Sequence, residues 1–268
     1  MLKTRILTAL VIAPIALAGL FALPAAEFRW FILLILAVCG WEWGNFCRFG
    51  PTSRWTYGIL IATVFYLSSS YTNLWLVIAA IAWGLALLLI LRYPSQSDVW
   101  RLPATQSVIG FMILVPAGTS LLALKYSQLG NQWILLLLVL IWSADIGAYF
   151  VGRRFGQRKL LPAVSPGKSM MGLLGGLITA MLLGAMAIGV MIDDELREAP
   201  LFWLSMFLMV ALISVLGDLT VSMLKRNRGI KDSSGLLPGH GGFLDRLDSL
   251  FSAAPFFCGL LMLSGRLV

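Results

Sequence analysis

The chain is built from long apolar runs that alternate with short polar segments. Candidate membrane-spanning runs cover roughly residues 6–23, 29–47, 56–70, 73–91, 106–124, 132–151, 170–191, 201–224 and 249–266. Most of them approach the ~20 residues that an α-helix needs to cross the hydrocarbon core of a bilayer, and the third is the shortest. The pattern predicts an all-α integral membrane protein, a polytopic bundle of about nine transmembrane helices.

The first apolar run follows a short basic leader, Met1 to Arg5. Small residues at Ala25 and Ala26 would also suit the cleavage site of a signal peptide. Because the run is about long enough to span a bilayer, we interpret it as a retained first helix.

The distribution of Lys and Arg predicts the orientation of the bundle. If the N-terminus is cytoplasmic, sixteen of the twenty Lys and Arg fall in inner segments, and the outer segments keep only Arg29, Lys125, Arg197 and Arg266. The acidic loop 193–198 then lies outside. Cytoplasmic loops are enriched in basic residues, so the asymmetry favours nine spans with a cytoplasmic N-terminus.

Composition supports a membrane location. Hydrophobic residues make up 59% of the chain and charged residues 12%, which is typical of a protein that resides in a bilayer. The formal net charge of +8 comes from short loops between apolar runs, so we expect topology signals and anionic-lipid contacts and no nucleic-acid partner. The widely spaced Cys39, Cys47 and Cys258 are predicted to be small core residues.

No internal repeat or linker divides the chain. Residues 1–268 are therefore predicted to form a single integral-membrane domain. Residues 1–130 would supply the N-terminal helical spans, and residues 131–268 the catalytic spans and cytoplasmic loops. The compact loops suit a bacterial inner (plasma) membrane.

Polar chemistry is concentrated in residues 222–248, SMLKRNRGIKDSSGLLPGHGGFLDRLD. Several cationic donors lie close together there, at Lys225, Arg226, Arg228 and Lys231. Such a cluster suits a polyphosphate better than a single carboxylate. The run 239–242 follows a proline and cannot be regular helix, and its glycines would let backbone N–H groups approach a bound group.

Carboxylates accompany these cations at helical spacing. Asp218, Ser222 and Lys225 fall on one face of a predicted helix. If a helix restarts after the glycines, Asp245 and Asp248 also share one face, as a pair that fits a divalent cation with hard oxygen ligands. The arrangement predicts a phosphate and metal site at a membrane surface.

Three carboxylates lie within or beside apolar runs. An ionised carboxylate is costly inside a membrane, so Asp145 and Asp218 are interpreted as functional groups. Glu42 is flanked by two tryptophans, a pattern that fits an interfacial carboxylate in contact with water equally well as a functional one.

Residues 222–248 match the pattern S-x-L-K-R-x4-K-D-x-S-x2-L-P-x-H-G-G-F-x-D-R-L-D at every defined position. This pattern resembles the signature of the phosphatidate cytidylyltransferase family, the CDP-diacylglycerol synthases. The segments 143–156 and 165–172 are also similar to that family, and the second places Ser165 and Lys168 in an expected turn. Family members usually carry Trp followed by an acidic or amide residue where Met170 and Met171 stand.

The resemblance implies that CMP is transferred from CTP to phosphatidate in phospholipid biosynthesis, giving CDP-diacylglycerol and pyrophosphate. Mg²⁺ is the implied cofactor, with a second cation left open, and its implied ligands are Asp218, Asp245 and Asp248. Catalytic roles are implied for Asp218, Lys225, Arg226, Asp245, Arg246 and Asp248. Substrate contacts are implied for Asp145, Ser165, Lys168, Ser222, Lys231, Asp232, His240, Gly241 and Gly242. Membrane lipids are expected partners, the active site is expected on the cytoplasmic side, and a homodimer is left open.

Other functions need similar residues. A CTP-dependent polyprenol-type lipid kinase would also use a nucleotide, Mg²⁺ and a membrane substrate, but it would transfer only the γ-phosphate. An inactive paralogue could keep the fold, although Asp245, Arg246 and Asp248 are all present. A transporter could use intramembrane carboxylates, but polar residues crowd into the last half of the chain without counterparts in the first.

Overall fold

A computed structural model describes residues 2–95, 101–192 and 198–267. Nine α-helices lie in these ranges: α1 (Leu2–Leu17), α2 (Ala25–Phe46), α3 (Pro51–Ser68), α4 (Thr72–Arg92), α5 (Pro103–Tyr126), α6 (Gly130–Phe155), α7 (Met170–Met191), α8 (Pro200–Arg228) and α9 (Asp248–Leu263). A π-helical turn, Ala18–Ala22, extends α1, and a 3-10 turn, Leu244–Arg246, precedes α9. The helices follow the predicted apolar runs in order.

Six segments of the described chain are long and apolar enough to cross a membrane by themselves. They are Thr4–Ala22, Thr72–Arg92, Pro103–Tyr126, Gly130–Phe155, Met170–Met191 and Pro200–Arg228. Length and composition therefore do not confirm the predicted count of nine, and α9, with 16 residues, is one of the three helices outside this set. The helices α2 and α3, with 22 and 18 residues, are long enough but too polar or too charged to belong to this set. The protein is a polytopic helical membrane protein.

The sequence predicted a purely helical bundle, but the structure also contains two strands. Strands β1 (Lys159–Leu161) and β2 (Ser165–Ser169) form an antiparallel hairpin between α6 and α7. Ser165 and Lys168, expected in a turn, lie in β2. The Ser169 hydroxyl then accepts a hydrogen bond from the Gly172 N–H at 3.1 Å, which caps the N-terminus of α7.

Helices α6 and α7 pack closely because small residues line their contact. A Cβ atom on Gly176 would lie 2.6 Å from the Ala144 carbonyl oxygen, and one on Gly152 would lie 3.2 Å from the Cα of Gly172. Small residues allow this approach of two backbones inside a membrane. The contact fixes the position of the hairpin relative to α6.

Helix α5 lies at the centre of the core. Its residues Ile113, Leu114 and Val115 are fully buried, and α5 packs against α2, α4 and α9. The three cysteines are buried as predicted: Cys39, Cys47 and Cys258 are each 0% exposed. The apolar centre thus draws on helices from both halves of the chain.

The predicted inner segments meet at one end of the bundle, which we call the basic end. Two hydrogen bonds join inner segments directly, from Arg101 Nε to Asn227 Oδ1 at 2.8 Å and from Arg226 Nε to Val164 O at 3.4 Å. Two more come from the adjoining ends of predicted spans, from Thr8 Oγ1 to Pro238 O at 2.9 Å and from Asn45 Nδ2 to Ser233 O at 2.9 Å. At the opposite end, Lys125 Nζ donates to Leu20 O at 2.7 Å. The segments grouped by charge therefore also share one end in space.

Candidate active site

The basic end carries the last turns of α8, which extends four residues beyond the predicted span. Lys225, Arg226 and Arg228 lie in its final turn, and Gly229 ends it in a left-handed conformation with φ 77°. As predicted, Asp218, Ser222 and Lys225 share one face, and Ser222 Oγ donates to Asp218 Oδ1 at 3.2 Å.

Asp218 forms an ion pair with a residue of the hairpin. The distance from Lys168 Nζ to Asp218 Oδ2 is 2.5 Å, and both side chains are partly exposed, at 26% and 29%. Strand β2 brings Lys168 to α8, so the hairpin and α8 contribute to one site.

Asp245 is the acceptor of a second, more buried ion pair. Lys225 Nζ lies 2.7 Å from Asp245 Oδ1, and the two side chains are only 11% and 4% exposed. Asp245 Oδ2 accepts hydrogen bonds from the backbone N–H groups of Ser233 at 2.8 Å and Gly242 at 3.0 Å. Burial alone would raise the pKa of Asp245, but hydrogen bonds from Lys225 and Ser233 outweigh it and lower this pKa below its ordinary value.

Asp248 begins α9 and lies near Asp218, whose negative charge repels it. Asp145 of α6 is subject to the same repulsion from Asp218 and to attraction by Lys168. The structure therefore brings Asp145, Asp218 and Asp248 into one electrostatic cluster, and the positive charges of Lys168 and Lys225 also act on Asp248.

The predicted metal ligands are not all placed alike. Within the described ranges, no group of three His, Cys, Asp or Glu residues is arranged to hold a metal ion. Asp245 and Asp248 do not share a helical face, because the 3-10 turn ends at Arg246 and α9 starts at Asp248. Lys225 and backbone amides already engage Asp245, whereas the mutual repulsion of Asp218 and Asp248 fits a divalent cation between them.

A cavity of about 520 Å³ lies between α6, α7 and the hairpin. We call it the cationic cavity, because Arg153, Lys159 and Lys168 line it together with the single carboxylate of Asp145. Its volume is in the range of ligand-binding pockets. The excess of positive charge suits a polyanion.

A second cavity, of about 440 Å³, lies among α1, α2, α5, α6 and α9. We call it the apolar cavity, because its walls carry mostly aliphatic and aromatic side chains. Charged groups occur at one end, where Asp145, Asp245, Arg246 and Asp248 line it. Asp145 therefore lines both cavities.

The glycine-rich run forms a tight turn. Gly239 and Gly241 have positive φ values of 76° and 85°, and Leu237 pairs with Gly241 across the turn. The N–H groups of His240 and Gly241 donate to Leu237 O, and that of Gly242 donates to Asp245. These amides, expected to bind substrate, have internal acceptors in this structure.

The remaining predicted residues surround this turn or lie farther away. Lys231, Asp232 and Arg226 are exposed, and Ser165 is half-buried at the start of β2, outside the lining of the cationic cavity.

Arg246 is exposed, and its Nη2 donates to His240 O at 2.5 Å. Met170 and Met171 begin α7, and Met171 is 41% exposed.

Glu42 contacts the segment that carries Asp245, although the sequence left the role of Glu42 open. It is 0% exposed, and the segment between α8 and α9 surrounds its carboxylate with hydrogen-bond donors. The flanking tryptophans suggested an interfacial side chain, but the structure buries it. The spacing along the chain, about 200 residues, carries no signal of this contact.

Comparison with known proteins covers nearly the whole chain. Residues 3–264 match the cytidylyltransferase family. A protein of Pseudomonas aeruginosa named phosphatidate cytidylyltransferase is 43% identical over 270 residues, which cover 99% of this chain and 98% of that protein. Proteins of the same name from Haemophilus influenzae and Brucella suis are 41% and 34% identical, over 96% and 94% of this chain and 97% and 90% of their own lengths. Together with the site geometry, these matches show that the chain belongs to the cytidylyltransferase family.

Proposed function

We propose that the protein is a phosphatidate cytidylyltransferase, which transfers CMP from CTP to phosphatidate and releases pyrophosphate. The observation that carries the proposal is the position of Asp145, which lines both cavities. A water-soluble polyphosphate and a membrane lipid would therefore approach Asp145 from two sides. We call the place around Asp145 where the two cavities meet the junction. The names of the full-length relatives support the same reaction.

The cationic cavity would bind CTP. Arg153, Lys159 and Lys168 provide positive charge for the triphosphate, and Lys168 is already held at the junction by Asp218. Arg226 and Lys231 lie exposed at the same end and would attract the nucleotide. Ser165, Ser222, Asp232 and His240 remain proposed substrate contacts.

The apolar cavity would bind phosphatidate. Its apolar walls suit acyl chains, and Arg246 at its charged end suits the phosphate headgroup. Helix α1 forms one wall and exposes most of its other side, including Leu7, Leu10 and Val11. The acyl chains would therefore remain in the bilayer while the headgroup reaches the junction.

The chemical step requires no strong general base. A phosphate monoester is already largely ionised at neutral pH, because its second pKa is about 6. A phosphate oxygen of phosphatidate would form a bond to the α-phosphorus of CTP, and the bond from that phosphorus to the bridging oxygen would break. Pyrophosphate leaves with the bridging oxygen, and CDP-diacylglycerol remains in the membrane.

The main barrier is electrostatic, since two anionic groups must approach. Asp218 and Asp248 would hold Mg²⁺, which when bound offsets repulsion between phosphate oxygens. Lys168 and Arg246 would stabilise the charge that develops on the phosphates.

The other site residues would have supporting roles. Asp245 would hold the ammonium group of Lys225 in place at 2.7 Å, and Asp145 would orient a cation at the junction. Gly241 and Gly242 would shape the turn, because their N–H groups are engaged.

We further propose that all nine helices cross the membrane, with the N-terminus in the cytoplasm. The clustering of basic segments at one end supports this orientation, because basic residues favour the cytoplasmic side. The active site would then face the cytoplasm, where CTP is available, and the bacterial relatives suggest an inner membrane.

The proposed transfer of CMP to phosphatidate is tested by a turnover assay on the purified protein in mixed micelles. The assay supplies phosphatidate, Mg²⁺ and CTP that is labelled separately in the cytidine and in the γ-phosphate. We expect cytidine label to appear in the lipid, and Asp218→Asn and Asp248→Asn to lower its rate at least about 100-fold, as loss of a stabilising charge in the transition state does.

Glu198→Gln serves as the control, because Glu198 is exposed and lies between α7 and α8, away from the junction. This variant should keep the rate of the wild type. Transfer of the γ-label to a lipid alcohol would instead establish a kinase. If neither label is transferred, both the cytidylyltransferase and the kinase activity are contradicted.

A further inference from the structure

The carboxylate of Glu42 has four hydrogen-bond donors, although the side chain is fully buried. Oε1 accepts from Ser234 Oγ at 2.5 Å and from the Phe243 N–H at 2.9 Å. Oε2 accepts from Ser233 Oγ at 3.0 Å and from the Leu244 N–H at 2.6 Å. A buried charge is costly unless hydrogen bonds satisfy it, and here each oxygen has two donors.

All four donors come from the segment 233–244, which connects α8 to α9. The N–H groups of Phe243 and Leu244 stand at the start of the 3-10 turn that carries Asp245 and Arg246. Amides at the start of a helical turn lack intrahelical acceptors, so they need an outside partner. Glu42 of α2, about 200 residues earlier in the chain, supplies that partner.

Ser233 links Glu42 to Asp245. Its hydroxyl lies 3.0 Å from Glu42 Oε2 and 3.1 Å from Asp245 Oδ2, while its N–H donates to Asp245. Gly242 lies against the same groups, since a Cβ atom there would overlap Ser233 Oγ and approach both Glu42 oxygens to 3.0 Å. The two carboxylates and the segment 233–244 are therefore packed as one unit.

We propose that Glu42 is a positioning residue, which holds the segment 233–244 in the shape that places Asp245 beside Lys225 and Arg246 at the end of the apolar cavity. Glu42 lines neither cavity and acts through the backbone of this segment. Its effect on turnover rests on the proposed function, whereas its effect on the segment does not.

Only a carboxylate satisfies this arrangement. Each oxygen of Glu42 faces one hydroxyl and one backbone N–H. A hydroxyl can turn to accept a hydrogen bond, but an N–H group can only donate. In Glu42→Gln the side-chain NH₂ would face the N–H of Phe243 or of Leu244 in either orientation, so one buried N–H would lose its acceptor.

Hydrogen exchange of backbone amides tests the anchoring directly. In Glu42→Gln we expect the amides of residues 242–245 to exchange at least about tenfold faster than in the wild type, because the segment opens more readily. The control is Glu27→Gln, which changes an exposed glutamate in the first turn of the same helix and should leave this exchange unchanged. Equal exchange of residues 242–245 in wild type and Glu42→Gln would overturn the proposal.

Ser234→Ala provides a milder variant if Glu42→Gln does not fold. It removes one of four donors from a half-buried residue and leaves the carboxylate in place. We expect the same amides to exchange faster, by a smaller factor of roughly three. Unchanged exchange in this variant, with Glu42→Gln unfolded, would also overturn the proposal.

Kinetics separate positioning from simple loss of folded protein. Loss of folded protein lowers the apparent kcat and leaves KM unchanged. Displacement of Lys225 and Arg246 should also raise the KM for CTP or phosphatidate, by about fivefold or more, in Glu42→Gln. An unchanged KM for both substrates would overturn the role in catalysis. If wild-type protein transfers no cytidine label, the proposed function fails while the exchange measurement still decides the anchoring.

Discussion

At the scale of single residues, the site depends on carboxylates in different environments. Asp245 is held by a lysine and by backbone amides, whereas Asp218 and Asp248 repel one another. The same residue type therefore anchors a turn at one position, and at the other positions we propose it as a cation ligand. The identity of the neighbours decides between the two roles.

The lowered pKa of Asp245 predicts how stability depends on pH. A carboxyl group whose pKa is lower in the folded state stabilises the fold above its unfolded pKa, about 3.9, and loses that contribution as pH falls through the folded pKa. We expect the contribution to be constant from neutral pH to about 4 and to disappear below. Unfolding temperatures of wild type and Asp245→Asn, measured in micelles across this range, should converge at acid pH.

Lys225→Met is the companion variant. It removes the strongest of the interactions that lower the pKa of Asp245, so the acid-induced loss of stability should be smaller than in the wild type. It also leaves a buried carboxylate unpaired, which costs about 3 kcal/mol at neutral pH. A wild-type pH profile in Lys225→Met would contradict the assignment of the ion pair.

At the scale of elements, close packing of α6 and α7 places the hairpin. Glycines at the contact allow the two backbones to approach, and the hairpin then delivers Lys168 to Asp218 on α8. The position of the cationic cavity thus depends on residues that do not line it, such as Gly176.

Two glycines of α7 provide a matched test of this packing. In Gly176→Ala the new methyl group would lie 2.6 Å from the Ala144 carbonyl oxygen, so we expect a loss of about 1–3 kcal/mol and lower turnover. Gly189→Ala introduces the same group where no atom lies within 4 Å, and it should be neutral or slightly stabilising. Equal unfolding temperatures for the two variants would show that the contact is looser than described.

At the scale of the whole molecule, helices from both halves of the chain enclose the site. The apolar cavity takes walls from α1, α2 and α5, and Glu42 of α2 supports the segment that follows α8. The first half therefore contributes to the site although it carries few polar residues.

The proposed topology predicts on which side of the membrane the C-terminus and the segment between α8 and α9 lie. A reporter fused after residue 268 should read as extracytoplasmic, because nine spans separate it from a cytoplasmic N-terminus. A reporter inserted at the exposed Gly235 should read as cytoplasmic, since this segment lies at the basic end. A cytoplasmic signal from residue 268 would contradict the proposal that nine helices cross the membrane. A periplasmic signal from residue 235 would contradict the proposed orientation.

The sequence by itself determined the helical membrane architecture, the order of the helices, the grouping of basic segments and the local face shared by Asp218, Ser222 and Lys225. These features follow from hydrophobicity and from helical periodicity, which act over a few residues. Only the tertiary structure decided that Lys168 reaches Asp218, that Asp245 pairs with Lys225 rather than sharing a face with Asp248, and that Glu42 is buried beneath the segment 233–244. These contacts depend on how helices cross and where short turns end, and both are set by side-chain packing between residues far apart in the chain.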